Sequence, residues 1–511
     1  MSPESDNPGA SRAEKLRRIE ALGLDPWGGR FDGHTPIEAI LALPADLPEG
    51  QRPRVRAAGR IRSRREAGKL HFLDIWDYSG KPALRKTRGE EGKAGREAAE
   101  VPTLSSQVQV MVGKKQVGDT GWALAQELDL GDLIGVEGPF GKSKLGEPTI
   151  FANKLTFLAK SLEPHPSNFY GMHDEEYRLR HRYLDLIYNP ETMERAKQRV
   201  KLVRTIRNHL DAQGYMEVET PTLQAVASGA AARPFVTHHN ALDIDLFLRI
   251  ALELPLKRLL VGGIEKVYEI GRVFRNEGIS RKHNPEFTML ELYQAYGDYQ
   301  TMMDLTEGLM LACVDALGGG RVRKYGEKTV DFTPPWKRAS YAELFRRHVG
   351  APMDDAATLA ETAKQYGIEV AGKEPDVVVQ ELFEHCVEKH LEGPVFVQDY
   401  PAALCPLTKR KRGNPNVAER FELYVCGMEL ANAYTELNDP ATQEETFRRQ
   451  LAGLKEEDSM ARMDEDFVKA LRYAMPPAGG LGIGIDRLVM LLTDTQTIRD
   501  VILFPLLKPE R

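Results

Sequence analysis

The segment Glu269–Tyr296 combines residue types that suit the binding of a charged, planar ligand. It has the pattern of two strands of apolar and β-branched residues joined by a polar loop. Because side chains alternate between the two faces of a strand, Phe287, Glu291 and Tyr293 share one face of the second strand. Pairing of the strands would bring Arg275 to that face. A ring, a guanidinium and a carboxylate suit a purine, a phosphate and a cation, although an ordinary amphipathic hairpin with a charged turn also fits the pattern.

A second hairpin is predicted around Cys426-Gly427, which has the length of a two-residue turn. With that turn, Glu422 and Glu429 share a face and lie on a diagonal, at most about 7 Å apart. Carboxylates placed in this way can bridge Mg²⁺ on a triphosphate. Acidic side chains on the surface of an ordinary hairpin are the alternative interpretation.

The strand after this turn carries three more polar side chains at alternate positions, Asn432, Tyr434 and Glu436. These three residues share a face of their own. That face coincides with the face of Glu429 only if a β-bulge lies near Leu430-Ala431, because one extra residue reverses the alternation.

A glycine-rich strand that continues into a helix, Gly479–Leu488, is the third chemical signal. A Rossmann-type turn does not fit, since too few residues follow for a βαβ unit with its acidic partner. The glycines more plausibly let a base or another backbone lie flat on a sheet. Arg487, at the predicted start of the helix, can bind terminal phosphates in a bidentate manner.

Composition restricts the setting in which these residues act. Of the 511 residues 42% are hydrophobic and 28% are charged, which is typical of a globular protein, and the length predicts roughly two to four domains. No apolar run reaches the length of about 18 residues that a membrane span needs. The N-terminus does not have the pattern of a secretory signal, and four widely spaced cysteines argue against a zinc cluster or a disulfide framework. We therefore expect a cytoplasmic protein without membrane association.

Five short β-like runs separated by glycine turns predict a small barrel within residues 51–165. Arg60, Arg62 and Phe72 lie near the start of this region. Basic and aromatic side chains of this kind meet phosphates and bases in OB-type nucleic-acid modules. Trp76 is expected to belong to the core.

The charge distribution supports a polyanion partner for this region. Residues 51–160 contain 20 Lys and Arg against 13 Asp and Glu, although the whole chain has a net charge of −6. A chance excess on a solvated surface is the alternative. Residues 81–107 are polar and are expected to form a flexible insertion between strands.

The remaining sequence predicts helices and antiparallel strands. A long helical pattern over 191–213 ends at Gly214. The expected fold class is α+β, with an N-terminal OB-fold β-barrel and a larger antiparallel sheet domain flanked by helices. The expected domains are an N-terminal tail and helix over 1–50, the barrel over 51–165 and the sheet domain over 166–511.

Three of these segments together resemble the signature motifs of class II aminoacyl-tRNA synthetases. They are the long helix leading to Pro221, the hairpin from Phe274 to Tyr293, and Gly480–Arg487. Shorter motifs are similar to those of lysyl-tRNA synthetases, and the similarity covers nearly the whole chain. These motifs are Ala232–Phe235, His238–Asn240, His283–Thr288, Arg420–Glu422 and Glu436–Asp439.

The resemblance implies a site for ATP, L-lysine and Mg²⁺. The implied catalytic residues are Arg275, on the α-phosphate and the lysine carboxylate, and Arg487, on the γ-phosphate. The other implied ATP-binding residues are Glu277, His283, Asn284 and Phe287, with Phe287 stacked on adenine. The implied lysine-binding residues are Gly229, Glu253, Glu291, Tyr293, Asn432, Tyr434 and Glu436. The implied Mg²⁺ ligands are Glu422 and Glu429.

The same resemblance implies a two-step activity and its partners. Lysine and ATP form lysyl-adenylate, and the lysyl group is transferred to the 3′ end of tRNA(Lys). The enzymes of this family are homodimers through the first motif, and their barrel binds the anticodon. The residues implied in that contact are Arg60, Arg62, Phe72 and Glu147.

Three positions depart from the family pattern. Ala403 and Cys405 stand where many members have Glu and Ser, and Met428 stands where they have Arg or Lys.

Three other interpretations remain. An aspartyl- or asparaginyl-type synthetase shares the architecture but needs a cation or an amide where Glu291 and Glu436 stand. An enzyme that lysylates a protein lacks the N-terminal barrel. A non-catalytic tRNA-binding paralogue would not need the catalytic arginines, which this chain has.

Overall fold

The computed structural model describes residues 8–86, 100–165, 172–230, 232–452 and 463–510. The chain divides into two compact units, Met1–Glu194 and Arg195–Arg511. Within the described ranges, no helix has the length and apolar character needed to cross a lipid bilayer.

The first unit is built mainly from β-strands. Its strands are β1 (Arg54–Ala67), β2 (Leu70–Trp76), β3 (Pro82–Lys86), β4 (Glu100–Leu104), β5 (Gln107–Gly113), β6 (Leu133–Lys142), β7 (Pro148–Ala152) and β8 (Lys154–Ala159). Its helices are α1 (Pro8–Ala21), α2 (Ile37–Leu41), α3 (Lys114–Glu127), α4 (Glu175–Arg180) and α5 (Arg182–Tyr188), with a 3₁₀ turn at Glu49–Gln51.

A closed barrel of five strands forms the core of the first unit, which confirms the predicted OB-like module. The first part of β1 pairs with β6 and its second part with β2. β5 runs antiparallel to β2 and parallel to β7, and β7 returns to β6. A register shift between Ile61 and Ser63 lies just after the point where β1 changes partner. Such a bulge bends a strand and helps the sheet to close.

The interior of the barrel follows from the alternation of side chains. Alternate residues of β1 from Val55 to Ile61 are buried, and they join one apolar cluster with residues of β2, β5, β6 and β7. Trp76 is 6% exposed, which confirms that it is buried, but it lies outside this apolar cluster and has Arg62 over its ring.

The insertion 81–107 is regular at its two ends. β3 and β4 form an antiparallel ladder in which Pro82 pairs with Leu104 and Lys86 pairs with Glu100. The expectation of a flexible insertion is therefore wrong for these ends. A ladder of backbone hydrogen bonds does not need apolar side chains, so the polar composition gave no sign of it. Residues 87–99 lie outside the described residues.

The second unit contains strands and helices in alternation. Its strands are β9 (Met216–Glu217), β10 (Leu223–Gln224), β11 (Val236–His239), β12 (Ile244–Leu248), β13 (Lys266–Phe274), β14 (Glu286–Ala295), β15 (Val322–Tyr325), β16 (Lys328–Asp331), β17 (Lys337–Ser340), β18 (Val395–Pro401), β19 (Arg410–Lys411), β20 (Asn414–Val425), β21 (Met428–Thr435) and β22 (Ala478–Gly484). Its helices are α6 (Pro190–Asp211), which begins at the end of the first unit, α7 (Glu253–Val261), α8 (Tyr299–Leu317), α9 (Tyr341–His348), α10 (Ala356–Gln365), α11 (Pro375–Cys386), α12 (Pro440–Ala452), α13 (Glu465–Leu471), α14 (Ile485–Leu492) and α15 (Ile498–Val501). Two 3₁₀ turns lie at Glu388–His390 and Ala402–Leu404.

A nine-stranded sheet organises the second unit. Its strand order is β17-β18-β20-β21-β22-β14-β13-β9, with β19 paired to β20. Neighbouring strands are antiparallel except for β17 beside β18 and β9 beside β13, which are parallel. The predicted α+β class with a large antiparallel sheet is thereby confirmed.

One face of this sheet is apolar and covered by helices. Two rows of apolar residues cross β14, β22, β21 and β20 in register, and they pack with residues of α6, α8 and α14 in one buried cluster. The rows are Leu290, Ile483, Ala431, Leu423 and Leu292, Leu481, Ala433, Phe421. Because strand residues alternate, the intervening residues of the same strands must point to the opposite face.

Asp486, in the first turn of α14, connects three elements. Its carboxylate accepts a hydrogen bond from Arg199 of α6 at 2.5 Å and from the backbone nitrogen of Thr288 in β14 at 2.7 Å. Arg199 also donates to the hydroxyl of Thr288 at 3.1 Å. A buried carboxylate is tolerated when its charge and lone pairs are matched in this way. The start of α14, and with it Arg487, is therefore fixed relative to β14.

A β-bulge between β20 and β21 brings the polar residues of both strands to one face, which meets the condition stated from the sequence. Tyr424 pairs with Glu429. Two residues earlier, Glu422 pairs with Asn432, which leaves Leu430 as the extra residue. Since paired residues share a face, Glu429 and Asn432 point to the same side of the sheet.

Candidate active site

The second face of the sheet carries two rows of residues that cross β14, β22, β21 and β20. In each row, a glycine of β22 lies between polar residues of the neighbouring strands. The rows are Glu291, Gly482, Asn432, Glu422 and Tyr293, Gly480, Tyr434, Arg420. Because two positions have no side chain, an open floor remains between the acidic strands.

A cavity of about 1040 Å³ opens on this floor. Its wall includes the loop at Gly229, which has a φ of 91° and so adopts a conformation that favours glycine. A Cβ at this position would lie 3.5 Å from Cβ of Glu253, so the loop backbone approaches the start of α7 closely. The predicted site residues that line the cavity are Gly229, Glu253, Arg275, Glu277, Glu291, Tyr293, Asn432 and Tyr434.

A smaller cavity of about 190 Å³ shares Arg275 and Glu277 with the larger one. The guanidinium carbon of Arg275 lies 5.2 Å from the centroid of the Phe287 ring. Arg275 therefore stands where the two cavities meet and can contact a ligand in either of them. The predicted residues that line the smaller cavity are Arg275, Glu277, His283, Asn284, Phe287, Glu429, Asn432 and Arg487.

Arg487 is held in the wall of the smaller cavity by its neighbours. Its Nη1 donates to the backbone oxygen of Glu429 at 3.0 Å and lies 3.3 Å from Oε2 of the same residue. Its Nη2 lies 3.2 Å from Nε2 of His283. Desolvation, followed by the charge of Arg487, lowers the pKa of His283. The imidazole is therefore neutral near about pH 7 and accepts from Arg487, which leaves a fixed guanidinium for an anionic group.

Three buried carboxylates lie in or beside the larger cavity, since Glu253 and Glu291 line it and Glu436 adjoins Gly480 of its floor. Glu291 accepts a hydrogen bond from the backbone nitrogen of Leu252 at 3.2 Å and from the hydroxyl of Tyr293 at 3.3 Å. Burial, followed by the charge of Glu253, raises the pKa of Glu291 to about 7. Burial also raises the pKa of Glu436 to about 8. Burial makes the ionised form of these carboxylates unfavourable, and a cationic ligand that pairs with them offsets that cost in free energy.

Lys257 is the residue of this cluster that the sequence analysis missed. Its side chain is fully buried, and its Nζ lies 2.5 Å from Oε1 of Glu253 and in ion-pair contact with Glu436. Burial alone would lower the pKa of Lys257, but the two carboxylates outweigh it and raise the pKa. A lysine four residues after Glu253 on a largely apolar helix is the signal that could have identified it.

The two predicted Mg²⁺ ligands have different surroundings. Glu429 lines the smaller cavity with 35% of its side chain exposed. Glu422 is buried and lines neither cavity, since its Oε2 accepts from Tyr400 and Tyr424 at 2.7 Å each and its Oε1 pairs with Arg420. Among the described residues, no group of three or more His, Cys, Asp or Glu side chains could hold a metal ion. Only Glu429 of this pair presents an accessible carboxylate.

Two of the three departures from the family pattern border the site. Cys405 lines the larger cavity, with its Sγ 3.5 Å from Nη1 of Arg420. Ala403 lies in the 3₁₀ turn that precedes it. Met428 is 2% exposed and belongs to the apolar cluster on the helix-covered face.

Arg60 and Arg62 are engaged with other residues of the first unit. Arg60 donates to the backbone oxygen of Gly131 at 2.7 Å. The guanidinium carbon of Arg62 lies 4.9 Å from the ring centroid of Trp76 and 5.1 Å from that of Tyr188. Their contact with tRNA stays a prediction.

Phe72 and Glu147 lie together on the surface of the barrel, beside Arg65. The guanidinium carbon of Arg65 lies 5.0 Å from the ring centroid of Phe72, and its Nη2 lies 3.6 Å from Oε2 of Glu147. Glu147 also accepts a hydrogen bond from Gln109 at 2.6 Å. An aromatic face bordered by charged and amide groups suits the stacking and hydrogen bonding of a nucleotide base.

Replacement of the two floor glycines by alanine is expected to have different effects. A Cβ at Gly480 would overlap the carboxylate of Glu436 and lie 2.6 Å from Cε1 of Tyr293. A Cβ at Gly482 would meet Oδ1 of Asn432 at 3.6 Å, an ordinary contact. Overpacking costs about 1–3 kcal/mol, so Gly480→Ala should lower the melting temperature and Gly482→Ala should not. Thermal unfolding measures both, and equal melting temperatures of the two variants would contradict the prediction.

Comparisons with known proteins identify the family. Residues 174–508 match the family described as tRNA synthetases class II (D, K and N). A lysine–tRNA ligase of Moorella thermoacetica is 47% identical over 507 residues, which cover 98% of each chain. Relatives of the same name from Pelotomaculum thermopropionicum and Staphylococcus saprophyticus are 48% and 43% identical, covering 98% and 99% of this chain and 94% and 100% of theirs. The chain therefore belongs to the lysine–tRNA ligase family of the class II tRNA synthetases.

Proposed function

We propose that this chain activates L-lysine with ATP and transfers the lysyl group to the 3′ end of tRNA(Lys). The observation that carries the proposal is a cluster of three buried carboxylates. Glu253 and Glu291 line a cavity that also presents Arg275, and Glu436 adjoins Gly480 of its floor. A free amino acid with two ammonium groups and one carboxylate matches this set of charges. Because a buried ion needs a partner of opposite sign, the match selects lysine over apolar amino acids.

Lysine binds in the larger cavity in the proposed complex. Its ε-ammonium meets Glu291, Tyr293 and Glu436 at the inner end, where the carboxylates are most buried. Its α-ammonium lies near Gly229 and Glu253. The lining by Glu253, Glu291 and Tyr293 supports this arrangement. In the same proposal, Asn432 and Tyr434 form the wall along the aliphatic chain, and Arg275 receives the carboxylate.

ATP binds in the smaller cavity, with adenine stacked on Phe287. Glu277, His283 and Asn284 surround the base and ribose in the proposed complex. The side-chain oxygen of Asn284 supports it, since this atom is buried and has no hydrogen-bond partner among the described residues. An amino group of the base can donate to this oxygen and so remove the cost of leaving it unsatisfied.

The proposed reaction needs positioning and charge stabilisation but no protein nucleophile. An oxygen of the lysine carboxylate attacks the α-phosphorus, the bond to the β-phosphate breaks, and pyrophosphate leaves. Arg275 contacts both reacting groups, because it stands where the two cavities meet. Arg487 holds the γ-phosphate. Fixed guanidiniums stabilise the charge that develops on the phosphate oxygens without reorganisation. A ribose hydroxyl of tRNA then attacks the lysyl carbonyl and releases AMP.

We propose Glu429, together with Glu422, as the residues that hold Mg²⁺ with the nucleotide. Mg²⁺ in nucleotide sites needs only one or two protein carboxylates besides phosphates and water. The exposed carboxylate of Glu429 in the smaller cavity fits that requirement. Glu422 fits it less directly, because Arg420 already pairs with one oxygen and two tyrosines donate to the other. When bound, the ion neutralises charge on the phosphates.

The alternative substrates fit this cavity less well. Aspartate or asparagine would bring a carboxylate or an amide to Glu291 and Glu436, where like charges or unpaired acids would result. A non-catalytic paralogue would have no need for both Arg275 and Arg487 in the walls of connected cavities. Lysine activation is therefore the function that the arrangement supports best.

ATP–pyrophosphate exchange with each of the common amino acids, followed by aminoacylation of bulk tRNA, tests the function. We expect exchange that depends on lysine and on no other amino acid, and lysine esterified to tRNA. Arg275→Ala should abolish the exchange, because it removes the contact shared by both reacting groups. Exchange driven by aspartate or asparagine, or no exchange at all, would refute the proposal.

Lysine affinity is expected to depend on pH through Glu291. Its pKa of about 7 in the free cavity is raised by burial, whereas an ammonium ligand requires the ionised carboxylate. Below about pH 7 binding must therefore expel a proton, and affinity should fall by up to about tenfold per pH unit. Because Glu436, the second carboxylate partner, has a pKa of about 8, the rise should continue beyond about pH 8. Titration calorimetry across this range measures the effect. Glu291→Gln should bind lysine more weakly and with a flatter dependence, and an unchanged slope would contradict the assignment.

We further propose a cytoplasmic homodimer with tRNA anticodon contacts on the N-terminal barrel. The proposed division is a tail over 1–50, the barrel over 51–165 and a catalytic domain over 166–511. The small sheet β10-β12-β11 supports a dimer surface. Its exposed apolar side chains include Leu223, Val236, Leu242 and Ile244. The anticodon contacts are assigned to Arg60, Arg62, Phe72 and Glu147. Sedimentation equilibrium should give twice the mass of the chain, and a monomer would contradict the dimer.

A further inference from the structure

Lys257 is a buried cation that the proposed reaction does not use. It lies on α7, one turn after Glu253, and has no exposed surface. Its Nζ lies 5.8 Å from the ring centroid of Tyr293, 5.6 Å from that of Tyr434 and 6.0 Å from that of Phe467. These rings close off its surroundings from water, so that its ammonium depends on protein groups alone for stabilisation.

The contacts of Lys257 go beyond those of an ordinary helical ion pair. An exposed lysine four residues after a glutamate stabilises a helix by only about 0.2–0.5 kcal/mol. Here the ammonium pairs with Glu253 on its own helix and with Glu436, which follows β21. Burying an ammonium costs several kcal/mol unless carboxylates compensate it. Since apolar residues of similar size could fill the same space without that cost, the charge itself calls for an explanation.

The two carboxylates that Lys257 contacts also face the larger cavity or its floor. Glu253 lines the cavity. One oxygen of Glu436 pairs with Lys257, while the other has no hydrogen-bond partner among the described residues and lies where a Cβ of Gly480 would be. Gly480 is part of the cavity floor. Lys257 therefore binds one oxygen of Glu436, and the other oxygen lies beside Gly480 of the cavity floor.

We propose that Lys257 is a positioning and specificity-determining residue that sets the charge of the amino-acid cavity. Its ammonium pairs with Glu253 and Glu436 and so orients both carboxylates in the absence of substrate, and it leaves the cavity short of positive charge. This inference rests on the proposed function, since the missing charge is assigned to lysine.

The charges at the inner end of the cavity support this assignment. When all three are ionised, the carboxylates of this cluster outnumber its two cations, Lys257 and Arg275, by one. Free lysine carries two ammonium groups and one carboxylate and therefore supplies one positive charge. Without Lys257, the three carboxylates would have Arg275 as their one neighbouring cation in this cluster, and mutual repulsion would oppose their ionisation. A neutral amino acid would leave one buried carboxylate without a partner.

Substitution of Lys257 by methionine tests the proposal, because it keeps the length of the side chain and removes the charge. The titratable groups around the substituted position are Glu253 on α7, Glu436 after β21, Tyr434 on β21, and Glu291 and Tyr293 on β14. In ATP–pyrophosphate exchange at about pH 7.5, we expect the KM for lysine to rise at least about tenfold. The KM for ATP should stay within about twofold of the wild-type value, since the smaller cavity does not include Lys257.

The pH profile separates this role from a merely structural one. Loss of the ammonium removes a charge that lowers the pKa of Glu436, so the acid limb of lysine binding should move up by about one pH unit, and binding should recover at alkaline pH. Lys266→Met is the matched control. Lys266 also stands over a tyrosine ring, 5.5 Å from the centroid of Tyr215, but lies outside both cavities. Its KM for lysine and its pH profile should match the wild type.

A double variant keeps the test decisive if Lys257→Met folds poorly. Lys257→Met with Glu436→Gln removes one charge of each sign, so its melting temperature should exceed that of Lys257→Met alone. A melting temperature at or below the single variant would overturn the proposal. So would a wild-type KM and pH profile in Lys257→Met, or equal loss for lysine and ATP at every pH. Absence of lysine-dependent exchange in the wild type would instead refute the proposed function.

Discussion

The register of four neighbouring strands, β20, β21, β22 and β14, is the constraint on which the site depends. In these strands, apolar residues alternate with polar residues, and the apolar rows are buried under α6, α8 and α14. A slip of one residue would turn Leu290 and Leu292 toward the cavity and Glu291 toward the helices. The energy of burying the apolar rows therefore also fixes which side chains face the ligand. The bulge at Leu430 belongs to the same constraint, because it restores the alternation across the last strand pair.

The second requirement is a balance of buried charge. The sheet face that the helices leave uncovered carries acids in a region with little water, and each acid has a compensating group. Arg420 and two tyrosines compensate Glu422, and Lys257 compensates Glu253 and half of Glu436. Glu291 has only a backbone nitrogen and a tyrosine hydroxyl. Among the described residues, Glu291 therefore has hydrogen-bond donors but no ion-pair partner, and it lines the larger cavity. This location explains why the cavity suits a cationic amino acid rather than an apolar one.

Glycine makes the floor between these charges. Gly480 and Gly482 stand in the polar rows, between residues of β14 and β21. The space above Gly480 is taken by Glu436 and Tyr293, whereas the space above Gly482 opens into both cavities. Gly480 therefore makes room for the carboxylate of Glu436, and Gly482 leaves space for a ligand. Gly480 and Gly482 are close in sequence, but the lack of a side chain serves a different physical purpose at each position.

Much of this arrangement could be read from the residues before the structure was known. The turn at Cys426-Gly427, the bulge near Leu430, and the common face of Phe287, Glu291 and Tyr293 followed from strand alternation and turn length, which are local properties. The ends of the insertion 81–107 did not, because a backbone ladder leaves no mark on composition. The sequence also gave no sign that the carboxylate oxygens of Glu422 already have partners, since Tyr400 lies 22 residues away on another strand.

The amino-acid sequence by itself therefore determined the strands, their polar faces and the kinds of groups available for chemistry. These follow from the period of two in a strand and from the chemistry of single side chains. Only the tertiary structure decided which charges meet. Lys257 and Glu436 are separated by most of the second unit in sequence, and their contact depends on α7 packing against the sheet. Pairing of buried charges is set by distances between elements, and such distances exist only once the chain has folded.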